Sequence, residues 1–219
     1  MEMEEVNLNA TEHAFGDELV LNQAAFQIDV EIQGFNSGLM LDKYDVASNG
    51  DKTGATKTRA QPPKDEAEAR LYMSLTGSKK PVIPTVNLMR CLIDAGRQVK
   101  VGKRQLSTKS DTLIPGFFVI NEPELVIKSN QGWYPNSMGV GVVGGRKIKV
   151  RPCFPDWGLK FKAYILPNMA TKELLITPED MYQVFCIGGQ SIGIGCYRAE
   201  KGGPFGQFRL TKWQVKKAK

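Results

Sequence analysis

Pro81-Val-Ile-Pro84-Thr85-Val-Asn-Leu88-Met-Arg90-Cys-Leu-Ile-Asp-Ala95-Gly-Arg97-Gln-Val99 is the stretch on which the fold turns. Pro84 stands at the threshold of an apolar pattern, where its fixed φ pre-sets a first helical turn. Behind it Val86, Leu88, Met89, Leu92, Ile93 and Ala95 recur at helical spacing, which predicts a helix over residues 85–99. Arg90, Asp94, Arg97 and Gln98 lie off that apolar stripe. Lys100, Lys103, Arg104 and Lys109 follow with no acid before Asp111, broken by Gly102 and Ser107-Thr108. Such a run is either a loop that faces phosphates or a solvated basic surface.

Toward the N-terminus, residues 19–33 carry Phe26, Ile28, Val30 and Ile32 in alternation with Gln27, Asp29, Glu31 and Gln33, the period of a half-buried strand. Residues 34–80 are irregular, with Asn36-Ser-Gly38, Asn49-Gly50 and Pro62-Pro63, and read as a long insertion holding a short helix or strand near Glu66. Toward the C-terminus, residues 116–120 and 124–128 are short strand signals around Pro123. A glycine-rich passage then leads into Arg146-Lys-Ile-Lys-Val-Arg151, where alternation places Lys147, Lys149 and Arg151 on one sheet face. Residues 159–166 repeat the pattern, with Lys160, Lys162 and Tyr164 outward. Thr177-Pro178-Glu179-Asp180 signals a capped helix that Gly188-Gly189 ends, and residues 205–213 alternate as a final strand. The order is strand, helix, strand, a group of strands, helix, strand. This predicts one α+β domain over residues 19–215 with a ferredoxin-like (RRM-like) β-α-β-β-α-β core, an insertion at about residues 35–80 and a second β-rich insertion.

Composition bounds the function. The chain of 219 residues is 42% hydrophobic and 24% charged, ordinary for a globular domain. Residues 1–18 form an acidic arm, with six acids and no lysine or arginine. The rest carries 29 cations against 17 acids, a net of +12 that ends in the basic tail 216–219. A body of that charge suits a polyanion, while an acidic arm suits masking of the binding face or docking on another copy. Four cysteines without C-x-x-C spacing and a single histidine, His13, suggest neither a zinc site nor a disulfide framework, so no metal and no cofactor is expected. No apolar run reaches about 18 residues, so no membrane span is expected, and the thiol usage reads as that of a cytoplasmic protein.

The segment Gly193-Ile-Gly195-Cys-Tyr197-Arg198-Ala-Glu-Lys201-Gly202-Gly203-Pro-Phe205-Gly206 combines glycines that permit close backbone approach with the cations Arg198 and Lys201 and the flat rings of Tyr197 and Phe205. It is a phosphate-facing loop or a hairpin between two core elements. Tyr134, Trp157 and Tyr164 are further rings that either stack bases or fill the core.

Two of these segments carry a family resemblance. Val82-Ile-Pro84 through Arg97 resembles the strand-to-helix motif "IPGxSLKGALR" of the RAMP superfamily, the RRM-like subunits that form the backbone of CRISPR effector complexes. The late segment with Gly193, Gly195, Gly202, Gly203 and Gly206 is similar to that superfamily's C-terminal glycine-rich loop. The resemblance implies a non-enzymatic, sequence-independent binder of single-stranded RNA or DNA that forms a homo-oligomer or filament along the strand, beside other effector-complex subunits. A free-standing relative from a phage or another mobile element fits equally. It further implies that residues 34–80 occupy the place of the "thumb" insertion.

Some relatives cleave RNA with an aspartate in the early insertion or a histidine near the first strand, so Asp42, Asp45 and His13 are the candidates for a metal-dependent nuclease. A structural or protein-interaction module, such as a virion or inhibitor protein, is the third class. No G-x-x-x-x-G-K-[ST] is present, which leaves nucleotide hydrolysis without a motif.

Overall fold

The computed structural model describes residues 23–43, 62–75, 78–142 and 145–218, with side chains left out over 140–147. The acidic arm 1–18, His13, Asp45 and most of the irregular insertion lie outside the described residues. In chain order the elements are β1 (Phe26–Gly34), β2 (Leu39–Met40), α1 (Pro63–Glu68), β3 (Val82–Pro84) and α2 (Thr85–Ala95). The hairpin β4 (Lys100–Val101) and β5 (Arg104–Gln105) comes next, then α3 (Ile114–Phe117), β6 (Phe118–Val119) and β7 (Glu124–Val126). The long hairpin β8 (Tyr134–Val142) and β9 (Gly145–Phe154) leads to β10 (Gly158–Ile165), α4 (Pro178–Ile187) and β11 (Phe208–Lys217).

The fold is mixed α+β with antiparallel sheets. Its main sheet has the order β11-β1-β10-β6, and β2-β9-β8 form a second sheet. In the main sheet Ile28, Val30 and Ile32 stand opposite Ala163, Phe161 and Leu159. Because side chains alternate across a strand, that register gathers every apolar residue of β1 on one face. This face packs on Leu88, Cys91, Leu92 and Ala95 of α2 and on Met181, Val184 and Phe185 of α4 in one continuous core. Phe185 is its aromatic hub, stacked on Phe161 at 6.2 Å and edge-on to Phe118 at 5.9 Å. Each fully buried side chain of this kind contributes roughly 1.5–3 kcal/mol through area removed from water.

Local signals account for the helix starts. Thr177 accepts a hydrogen bond from the Asp180 N–H at 3.2 Å, and the Asp180 carboxylate accepts from the Thr177 backbone N–H at 2.9 Å, a reciprocal capping box. Thr177→Ala is expected to lower stability by about 1 kcal/mol. Urea-unfolding midpoints check this, and an unchanged midpoint would mean that the cap adds nothing to α4.

Several boundaries differ from the expectation. α2 ends at Ala95 and passes into a 3-10 turn, Gly96–Gln98, instead of running to residue 99. Residues 114–117 form a helical turn rather than the start of a strand, because Pro115 occupies the first turn of α3. Gly188-Gly189 do not end the second long helix. They keep helical angles and continue it as a π turn, Gly188–Ile192, since their bare Cα atoms let this turn lie against Cys91 and the backbone of Phe208. Lys216 and Lys217 belong to β11, not to a free tail, and the Ala218 N–H donates to Ala25 O at 3.1 Å.

Candidate nucleic-acid interface

The glycine segment is anchored at four points. Gly193 N–H donates to Gly188 O at 2.7 Å, Ile194 N–H to Gly206 O at 2.9 Å, Cys196 N–H to Met40 O at 2.7 Å, and Gly206 N–H to Gly38 O at 2.7 Å. A Cβ at Gly195 would lie 2.5 Å from Met40 O, and one at Gly206 only 1.7 Å from Ile194 O. Both residues also have φ in the left-handed region, +81° and +73°. These two glycines are therefore required by contact between backbone segments of the protein itself.

So anchored, the loop forms one wall of a cleft of about 280 Å³. The opposite wall is α2, which presents Asn87, Arg90 and Cys91, and Leu41, Asp42 and Tyr72 close the end. Arg90 is 62% exposed and donates from Nε to Asp94 Oδ2 at 3.0 Å. Arg198, from the loop, donates to Glu200 Oε2 at 2.6 Å. Both arginines thus come to one cleft from segments about a hundred residues apart in sequence. Asn87 and Tyr72 were not singled out in the sequence. An asparagine on the polar side of a helix and a tyrosine in an irregular insertion carry no signal until both are seen to line one cleft.

Asp42 is committed to structure. Its Oδ1 accepts from Arg70 at 2.6 Å and its Oδ2 from Arg151 at 2.8 Å. Burial alone would raise its pKa, but the two guanidiniums outweigh that and hold the carboxyl below the usual range. This corrects the expectation for Arg151, which is buried at 7% exposure and cannot lie on an open sheet face, while Ile148 of the same strand is 69% exposed. Arg151 is drawn inward by Asp42, and α1 packs against β9, its Glu66 carboxylate accepting from the Val150 N–H at 3.2 Å. Lys149 is half-buried, and Lys147 lies in the part of β9 whose side chains are outside those described. Burial raises the thiol of Cys91 to about 12 and also raises that of Cys196, so neither is an activated nucleophile.

The basic face expected of β10 is interleaved with acid, and so are the lysines of β11. β1 lies between them, so Glu31 accepts from Lys160 at 2.9 Å and Asp29 from Lys216 at 2.7 Å. The lysine contacts hold both carboxyls below their ordinary values. Lys162 is exposed on the same face. At the far end of α2, Lys100, Lys103, Arg104 and Lys109 are all exposed, with Arg104 paired to Asp111 at 2.5 Å. Arg97 pairs with the buried Asp94 at 3.2 Å, and Lys201 with Glu200 at 3.2 Å. Glu200 itself titrates below the ordinary range, its partial burial outweighed by Lys201 and Arg198.

Of the candidate stacking rings, Tyr164, Phe205 and Trp157 are buried, which corrects their reading as platforms: packing occupies them. Tyr197 is 42% exposed, tilted at 41° on Phe205, and Tyr134 is exposed as well. Gly202 and Gly203 form the turn between these two parts of the loop. Among the described residues no cluster of three or more potential metal ligands occurs, and no helix is long and apolar enough to cross a membrane.

No protein-family model matches the chain, and no curated protein does. Solved structures do. One match is a chain in the cryo-EM structure of Type III-B Cmr-beta bound to cognate target RNA, with a TM-score of 0.53 and 15% identity, covering 98% of this chain and 69% of that one. At that identity the likeness is one of fold alone.

Proposed function

We propose that this protein is a single-stranded nucleic-acid-binding subunit that grips a strand by its phosphates and recurs along it as a homo-oligomer or beside other effector-complex subunits. The carrying observation is the convergence of the glycine loop with Arg90 and Arg198 on one cleft. The exposed β4–β5 hairpin, with Lys100, Lys103 and Arg104, offers further phosphate contacts. The order β11-β1-β10-β6, with α2 and α4 joining its strands, supports a ferredoxin-like core. The resemblance of residues 82–97 and 193–206 to the RAMP motifs agrees with it. RNA is favoured over DNA because the structural neighbour was captured on RNA. A nuclease is disfavoured, since Asp42 already serves two arginines.

Mobility-shift assays with labelled single and double strands of RNA and DNA test the proposal. Single-stranded RNA is expected to bind. If about four phosphates are neutralised, affinity falls about fiftyfold between about 50 and 200 mM salt. The double variant Lys103→Glu, Arg104→Glu weakens binding several-fold and flattens the salt slope. Absence of any shift at low salt removes the proposal, and cleavage of the strands in Mg²⁺ replaces it with the nuclease.

A further inference from the structure

Resting on the strand-binding function above, we propose that the cleft between α2 and the glycine loop seats one unstacked nucleobase, with adenine preferred. A surface that only tracks a phosphate backbone needs a groove with cations along it. This one has a concavity of about 280 Å³, just below the roughly 300–1,000 Å³ of drug-sized sites and suited to a single base with its sugar.

The contents of the cleft match a base better than a phosphate. Leu41 and Ile194 are packed beneath its floor, and the half-buried ring of Tyr72 is the flat surface it offers a heterocycle. The Asn87 amide forms no hydrogen bond among the described residues and lines the same space, so its donor and acceptor are both available. An asparagine amide is the bidentate complement of adenine's N6 and N7 edge. Asp42 adds selectivity. Arg70 and Arg151 hold its carboxylate charged from behind, and each oxygen has a lone pair beyond the one its arginine uses. A charged acceptor welcomes the exocyclic amine of adenine or cytosine and repels the carbonyl oxygens of uracil. Arg90 and Arg198, which line the same cleft, suit the phosphate of the same nucleotide.

The experiment measures fluorescence anisotropy of the full chain with labelled oligoadenylate, oligocytidylate and oligouridylate dodecamers. Oligoadenylate is expected to bind about fivefold or more tighter than oligouridylate. Asn87→Leu, a near-isosteric change at a helical position, brings oligoadenylate within about twofold of oligocytidylate, while Asp42 keeps both ahead of oligouridylate and the salt slope on oligouridylate stays the same. Equal affinities in the parent chain, or a preference for oligoadenylate over oligocytidylate that survives Asn87→Leu, overturn the base pocket and leave strand binding standing. Failure of every oligomer to bind overturns both. Should the variant not fold, photocrosslinking of the parent chain to 8-azidoadenosine within oligoadenylate decides instead. A crosslink on Tyr72 or within residues 85–91 supports the pocket, and crosslinks confined elsewhere overturn it.

Discussion

Gly206→Ala is expected to melt about 10 °C below the parent chain, while Gly202→Ala melts only about 3 °C below it, at 2–4 °C per kcal/mol for a chain of this size. Both glycines hold the same left-handed φ of +73°. Placing a side chain on that backbone costs about 1 kcal/mol at either position. The surroundings separate them. A Cβ at Gly202 meets nothing within 4 Å, whereas at Gly206 it would lie 1.7 Å from Ile194 O. Relieving that overlap displaces the two hydrogen bonds that tie Gly206 to Ile194 and Gly38, and the overpacking adds about 1–3 kcal/mol. The same displacement opens the cleft wall, so Gly206→Ala should also lose strand affinity that Gly202→Ala retains. Equal melting shifts for the two variants would show that the loop is held by backbone angle alone and is not anchored to the body.

Asp42→Ala is expected to cost about 3 kcal/mol at neutral pH, the lower part of the range for breaking a buried ion pair, since Asp42 and Arg70 keep partial contact with solvent. The alanine leaves Arg151, almost wholly buried, with no carboxylate facing it. Asp42→Asn, which keeps the shape and some of the hydrogen bonding, should cost less. The pH dependence has a definite sign. The folded-state pKa of Asp42 is depressed, so its contribution is fully present above its unfolded value of about 4 and is lost as pH falls through the lower folded value. The stability gap between the parent chain and Asp42→Ala should therefore close as urea titrations move from pH 7 to below about pH 4. A gap that stays constant with pH would mean that the carboxylate's charge is not what holds Arg70 and Arg151.

The candidate site was partly legible in the sequence. Arg90 and Arg198 stand out because each sits in a motif with glycine or helix punctuation. The glycine loop stands out because few other needs put five glycines in fourteen residues. The physical reason for two of those glycines was misplaced, however, because a bare Cα that admits a phosphate and one that admits a neighbouring carbonyl look the same in one dimension. The basic faces of β9 and β10 were over-read for a related reason. Alternation tells which residues share a face but not which strand lies alongside, and the strand beside β10 carries Asp29 and Glu31.

The elements follow from local signals: the proline before α2, the Thr177 cap of α4 and the two-residue alternation of β1 and β10. Each acts through backbone angles and hydrogen bonds within a few residues of its own position. Which charges are spent and which remain for a ligand is settled by the packing of the folded chain. That depends on partners as distant as Asp42 and Arg151, 109 residues apart, or Asp29 and Lys216, 187 apart. Coulombic pairing is set by proximity in space, so the basic body seen in the composition resolves into paired cations on the sheet, the exposed lysines of the β4–β5 hairpin, and a cleft where Asn87 meets Arg90 and Arg198, each held by an acid of its own segment.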